Sequence, residues 1–147
     1  MERVIFDTDL YIDWLQEGLR EELLLARMFL RHMSAVVLLE LRAGAFTPAA
    51  IRSVEELFTT FSRTRRLLTP SPETFRHAGA VLATLQRRLG YDLKKRTRLV
   101  NDCLIALSSR QIGATVFTHN ARDFEAIRRI TPFKLVVVSR KDDANVR

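Results

Sequence analysis

Asp7, Glu40, Asp102 and Asp123 each stand where an apolar run would otherwise continue. Asp7 closes Val4-Ile5-Phe6, and Glu40 interrupts Val36 to Leu41. Asp102 lies inside Leu99 to Leu107, and Asp123 comes just after Thr115-Val116-Phe117-Thr118. A carboxylate in apolar surroundings is costly unless its charge is compensated. If the four converge they repel one another, and a divalent cation is the economical compensation. Such a centre lowers the pKa of bound water and stabilises charge on a phosphate under in-line attack. Each acid also has a plainer use. Asp7 is placed to N-cap the segment after it, and Asp123, three residues beyond Asn120, suits a capping-box-like role. Those readings are weaker for Glu40 and Asp102. Glu40 has Val36 and Val37 at i−4 and i−3 and Ala43 and Gly44 at i+3 and i+4. Asp102 has Leu99 at i−3 and Ile105 and Ala106 at i+3 and i+4. Both therefore sit on small or apolar helix faces.

The charge balance points the same way. The 147 residues carry a formal net charge of +7, with a sequence pI near 10.5. That favours polyanionic partners but says nothing of fold. Arg63, Arg65 and Arg66 form one basic group; Arg87, Arg88, Lys94, Lys95, Arg96 and Arg98 form a denser one. A solvated helix face and a basic loop would look alike. Yet an acidic centre ringed by basic residues suits a phosphodiester held by its backbone while a metal acts on it. Other chemistries are excluded. His32, His77 and His119 lack zinc-ligand spacing, and no Gly-rich phosphate loop with a following Lys-Ser or Lys-Thr occurs. Cys103 is the single cysteine, so no internal disulfide forms, and its apolar setting predicts a buried, inert thiol. His119, beside Asn120, either touches substrate or serves a local structural role. Trp14, at helical spacing from Leu10, reads as core.

These side chains need elements to hold them. A chain of this length, 47% hydrophobic and 28% charged, suits one domain with one core. No stretch reaches the roughly 18 apolar residues of a membrane span. The start lacks a secretion signal, so a soluble cytoplasmic protein is expected. Val4 to Asp7 reads as a strand and Asp9 to Gln16 as a helix stopped by Gly18. Glu21 to Arg31 reads as a second helix, with acids at its start and Arg31 at its end. Ser34 caps a helix from Ala35 to Ala43. Thr47-Pro48 opens one to about Ser62, and Ser71-Pro72 opens a long one ending at Gly90. Arg66 to Leu68 is a weak strand, and Arg98 to Ile112 a helix ended by Gly113. Thr115 to Thr118 is a strand, Asn120 caps a helix to Arg129, and Leu135 to Val138 is the last strand. Residues 141–147 read as a polar tail. Strands alternating with helices predict a parallel sheet covered on both sides. Such sheets bind ligands at the carboxyl ends of their strands, where strand order reverses. If the strands before Asp7 and Asn120 are neighbours at that reversal, their acids meet.

The segments Ile5-Phe6-Asp7-Thr8-Asp9-Leu10-Tyr11-Ile12-Asp13, Leu39-Glu40-Leu41, Asn101-Asp102-Cys103-Leu104-Ile105-Ala106 and Thr118-His119-Asn120-Ala121-Arg122-Asp123-Phe124 resemble, in order and spacing, the signature of PIN-domain nucleases. The likeness is greatest to the VapC-type toxins of toxin–antitoxin pairs and covers about residues 3–139. It implies a PIN-like three-layer α/β/α sandwich with a central parallel sheet of four or five strands, forming a nuclease domain over residues 1–140. It further implies that Asp7, Glu40, Asp102 and Asp123 hold Mg²⁺ or Mn²⁺ for endoribonuclease action, with Thr118 and Asn120 positioning the acids or a phosphate. Asp9 stands where many relatives carry Ser or Asn, so its role as a further ligand stays open. The implied partners are an RNA substrate, a cognate antitoxin and a second copy in a homodimer. Surplus apolar residues in the two segments Glu21 to Arg31 and Thr47 to Ser62 (Leu24, Leu25, Met28, Phe29; Leu57, Phe58, Phe61) agree with an interface. Two rivals remain: a phosphatase-like hydrolase in which the Asp7-Thr8-Asp9 segment supplies a nucleophile and an acid, and a non-catalytic RNA- or protein-binding module. The first leaves Glu40 and Asp102 unexplained. The complete set of acids argues against the second.

Overall fold

The computed structural model describes residues 1–140, so the expected tail at 141–147 lies outside the described residues. The helix starts follow local chemistry. The Ser34 hydroxyl accepts from Val36 and Val37 N–H, Thr47 from Ala50 N–H and Ser71 from Thr74 N–H. Each satisfies donors that a helix leaves without an internal partner. Gly18 and Gly90 both end their helices at φ 67°, a left-handed turn that favours glycine. The chain runs β1 (Glu2–Phe6), α1 (Thr8–Glu17), α2 (Glu21–Leu24), β2 (Phe29–Ser34), α3 (Ala35–Ala43) and α4 (Pro48–Arg63). It continues as β3 (Leu67–Leu68), α5 (Pro72–Leu89), α6 (Arg98–Arg110), β4 (Thr115–Thr118), α7 (Ala121–Ile130) and β5 (Lys134–Val137).

The five strands form one sheet in the order β3-β2-β1-β4-β5, and every pairing is parallel. Connections β1→β2→β3 progress one way across it, and the return to β4 and β5 progresses the other way. Right-handed crossovers then place α1, α3 and α4 on one face and α5, α6 and α7 on the other. Each set packs together, which completes three layers. Val4, Ile5, Phe6 and Val116 in the central strands have no exposed surface, nor do Leu99, Ile105, Phe124 and Ile127 from the second helix set. Order reverses at β1, which pairs with β2 on one side and β4 on the other. The strands leading to Asp7 and Asn120 are therefore adjacent. Among the described residues, no helix is long and apolar enough to cross a membrane.

One element differs from expectation. The helix read from Glu21 to Arg31 is a single turn, α2, followed by turn residues at 25 and 27–28 and then strand β2. Glu2 to Ile5 pair in register with Phe29 to His32. Strand pairing in the sheet centre overrides the helical preference of Leu, Met and Arg there. The apolar surplus divides accordingly. Leu24 and Phe61 belong to the core, whereas Leu25, Met28 and Phe58 are exposed by 46%, 68% and 43%. Trp14 is half-buried against the core. Cys103 is buried, and burial followed by the charge of Asp102 pushes its thiol up to about 12.

Candidate active site

The sheet delivers Asp7 and Thr118 side by side at the carboxyl ends of β1 and β4. Asp7 N donates to Phe117 O at 2.9 Å. Its Oδ1 accepts from Thr8 N–H at 2.8 Å, and its Oδ2 accepts from the Thr118 hydroxyl at 2.6 Å. Asp7 is thus the N-cap of α1 and also part of the crevice. It is fully buried. Burial, then the charge of Asp9, with Glu40 adding, pushes its pKa up to about 7 against the opposing bonds from Thr118 and Thr8.

Two helices bring the next pair. Glu40, on α3, accepts from the Thr8 hydroxyl at 2.7 Å through Oε1, and Arg98 Nε lies 3.8 Å from its Oε2. Asp102, on α6, has no exposed surface. Its Oδ2 accepts from Asn120 Nδ2 at 3.1 Å, while its Oδ1 is buried without a hydrogen-bond partner. Burial pushes Asp102 up to about 8; the charge of Asp7 adds to this, and so do those of Glu40 and Asp123, against Arg98. Arg98 offsets only part of this, so a carboxylate so disposed would be favoured by a further cation.

Asp123 completes the group from α7. Asn120 caps that helix, its Oδ1 accepting from Asp123 N–H at 3.3 Å. The same amide turns Nδ2 onto both Asp123 Oδ2 and Asp102 Oδ2, each at 3.1 Å. One side chain thus ties two acids from different helices. Thr118 Oγ1 accepts from Asn120 N–H at 3.0 Å, which fixes the turn. Asp123 Oδ1 accepts from Arg96 Nη1 at 3.1 Å.

Asp9 lies alongside. Its Oδ2 accepts from His119 N–H at 3.3 Å, and its Oδ1 is the second buried carboxylate oxygen of the crevice without a partner. Its pKa is raised, chiefly by burial. His119 has a local structural role. Its Nδ1 lies 2.6 Å from Val138 O and its Nε2 2.7 Å from Asp13 Oδ2, with Arg20 Nη2 3.2 Å from Nε2. This cluster pins α1 to the ends of β4 and β5. The sequence reading did not single out Thr8, Arg96 or Arg98 as individual members. The first sits in plain view within Asp7-Thr8-Asp9, and the arginines lie in the dense basic group.

The sheet and helices therefore gather all of Asp7, Asp9, Glu40, Asp102, Asp123, Thr118 and Asn120 around one crevice. As the side chains stand, no three potential ligands converge on one ion among the described residues. Asp123 is turned to Arg96 and Glu40 to Thr8 and Arg98. The donor chemistry nevertheless fits a hard divalent cation, because all the candidates are carboxylate oxygens and two buried ones are unpartnered.

The family model described as PIN domain matches residues 4–130. Comparison with curated proteins returns no match. Among solved structures, VapBC from Salmonella typhimurium bound to DNA aligns at 26% identity and a TM-score of 0.65, covering 93% of this chain and 98% of that one. VapBC2 from Rickettsia felis, bound to a promoter DNA fragment, aligns at 21% identity and 0.67, covering 93% and 99%. VapBC-5 from Mycobacterium tuberculosis, described as a toxin–antitoxin system, aligns at 19% and 0.63, covering 94% and 100%.

Proposed function

The chain belongs to the PIN-domain family, and from that premise we propose that it is a metal-dependent endoribonuclease acting as the toxin of a toxin–antitoxin pair. The observation that carries this reading is the crowding of carboxylates at the β1/β4 reversal, with Asp7 and Asp102 pushed up to about 7 and about 8. Asp7, Glu40, Asp102 and Asp123 would hold Mg²⁺ or Mn²⁺. A cation bound there would activate water and neutralise charge on a phosphodiester. The remaining work falls to the protein. Asn120 orients Asp102 and Asp123 together, Thr118 fixes Asp7, and Thr8 fixes Glu40. Residues 1–140 form the nuclease domain, working in the cytoplasm on RNA.

The phosphatase-like rival loses ground on geometry. Both oxygens of Asp7 are engaged, and the side chain is fully buried, so neither is poised to attack a phosphoryl group. A protein partner is supported by exposed Leu25 and Met28 and by the neighbouring cleft of 380 Å³, which Tyr11, Trp14, Leu57 and Phe61 help to line. The solved neighbours include toxin–antitoxin complexes; we assign this chain a cognate antitoxin on that likeness, and a homodimeric state on its exposed apolar residues.

The test is purified protein incubated with total cellular RNA in Mg²⁺, in Mn²⁺ and in EDTA, followed by sequencing of the ends. Recurrent internal cuts that vanish in EDTA are expected. Equal cleavage in EDTA, or a trapped phosphoaspartate at Asp7, would overturn the assignment. Asn120→Ala is a finer probe. It removes the tie between two acids and a helix cap. Cleavage should fall by about 10–100-fold, as for other outer-shell losses, with roughly 1 kcal/mol lost in urea denaturation. Unaltered cleavage would leave Asn120 a cap alone.

A further inference from the structure

We propose that Arg96 and Arg98 are ligands for the substrate's phosphates, held as counter-ions on Asp123 and Glu40 until a metal ion claims those carboxylates. The inference rests on the nuclease reading and adds two residues and an order of events to it.

Both arginines come from the stretch that joins α5 to α6 and from the first turn of α6, at the rim of the crevice. Arg96 Nη1 bonds Asp123 Oδ1 at 3.1 Å. Its guanidinium carbon also lies 5.0 Å from the centroid of the Tyr91 ring. The ring and the acid together fix the plane of the guanidinium, which therefore loses less freedom on binding an anion. Arg98 is less committed. Its Nε reaches Glu40 Oε2 only at 3.8 Å, and its side chain is 58% exposed. A guanidinium has five N–H donors in a fork that matches a phosphate. Neither residue spends more than a small part of that fork on the protein's acids.

The two pairings also account for the absence of any three converging ligands among the described residues. Asp123 and Glu40 are the two candidates turned to arginine, whereas Asp7 and Asp102 are held by neutral donors. A divalent cation and a guanidinium beside the same carboxylate repel each other. Asp123 and Glu40 would have to leave Arg96 and Arg98 to hold a cation, and both arginines would then lack their acidic partners. A phosphodiester arriving at the cation brings the negative charge they have lost. Arginine and metal thus compete in the free protein and cooperate once RNA is bound. Purely structural ion pairs would show neither effect.

Those opposed signs make the test. Mn²⁺ binding without RNA is read by calorimetry for wild type, Arg96→Gln, Arg98→Gln and Arg87→Gln, the last a control for net charge on α5. Binding of a fluorescent single-stranded RNA is read by anisotropy in Ca²⁺ over a range of salt, with gels showing the RNA intact. Arg96→Gln and Arg98→Gln should each tighten Mn²⁺ severalfold and weaken RNA about tenfold. The slope of log K against log salt should shrink by about 0.7 per arginine lost. Arg87→Gln should leave Mn²⁺ affinity unchanged. Arg96→Lys guards against misfolding: with charge kept and the fork lost, RNA binding should weaken while Mn²⁺ affinity holds. Unchanged Mn²⁺ affinity and salt slope in both glutamine variants, with wild type binding both ligands, would overturn this inference and leave the nuclease reading intact. A wild type that binds neither Mn²⁺ nor RNA would sink both.

Discussion

Asp102→Asn is expected to lower RNA cleavage by more than about a hundredfold while the protein stays folded. The floor comes from comparison: losing an outer-shell partner of a metal site costs about 10–100-fold, and losing a ligand should cost more. Asp102 is the cleanest of the acids for this purpose. Its Oδ2 takes one bond, from Asn120 Nδ2, and an amide oxygen can still accept it. Its Oδ1 has no partner to lose. The substitution therefore removes charge and ligand strength at nearly constant shape. Asp7→Asn is less clean, because Asp7 accepts from both Thr8 N–H and the Thr118 hydroxyl. An amide in its place would lose one of the two as an acceptor and disturb the cap as well as the site. Single-turnover cleavage in Mg²⁺, with circular dichroism on the same samples, decides the matter. Cleavage by the Asp102→Asn protein at the wild-type rate would remove Asp102 from the machinery.

The parts of the site legible in the sequence are those marked by burial. Asp102 and Glu40 stood out because their helical neighbours at three and four residues are apolar or small, and in the structure both lie in the crevice. Asp7 and Asn120 were placed by sheet logic, since adjacent strands at a reversal bring their loops together. The pairings were not legible. Thr8 to Glu40 spans 32 positions and Arg96 to Asp123 spans 27, and nothing local marks either bond. Which members of the six-residue basic group would turn to the crevice acids was equally hidden. Strand β2 was missed for a related reason. Phe29-Leu30-Arg31-His32-Met33-Ser34 has no β-branched residue, and the preceding Leu and Met residues fit helical spacing. Its strand character comes from β1 beside it and from contacts such as Arg66 Nε to Arg31 O at 2.8 Å, which only the folded chain supplies. His119 belongs to the same class, because its partners Asp13 and Val138 lie far away in sequence.

In EDTA the wild-type protein should lose stability as pH rises from about 4 to about 8. Asp7 and Asp102 have an ordinary value of 3.8 and are pushed up to about 7 and about 8 in the folded chain. A group whose folded pKa is the higher one binds its proton more tightly when folded. The stability it contributes is full below its unfolded pKa and is lost as pH climbs through the folded one. Each pKa unit is worth about 1.4 kcal/mol, so the combined loss is on the order of a few kcal/mol once relaxation of the site is allowed for. Asp102→Asn removes the higher of the two titrations. The variant should match wild type at pH 4 and melt higher at pH 8 in EDTA, by about 5–10 °C for a chain of this size. Saturating Mg²⁺ should close or reverse that gap, since the cation binds the native wild type and stabilises it by mass action. Thermal melts of both proteins across this pH range, with EDTA and with Mg²⁺, read the result. An Asp102→Asn protein that melts lower than wild type at pH 8 in EDTA would mean that Asp102 is a satisfied structural carboxylate. The reading of the crevice as a cation site would then lose its most buried unpartnered oxygen.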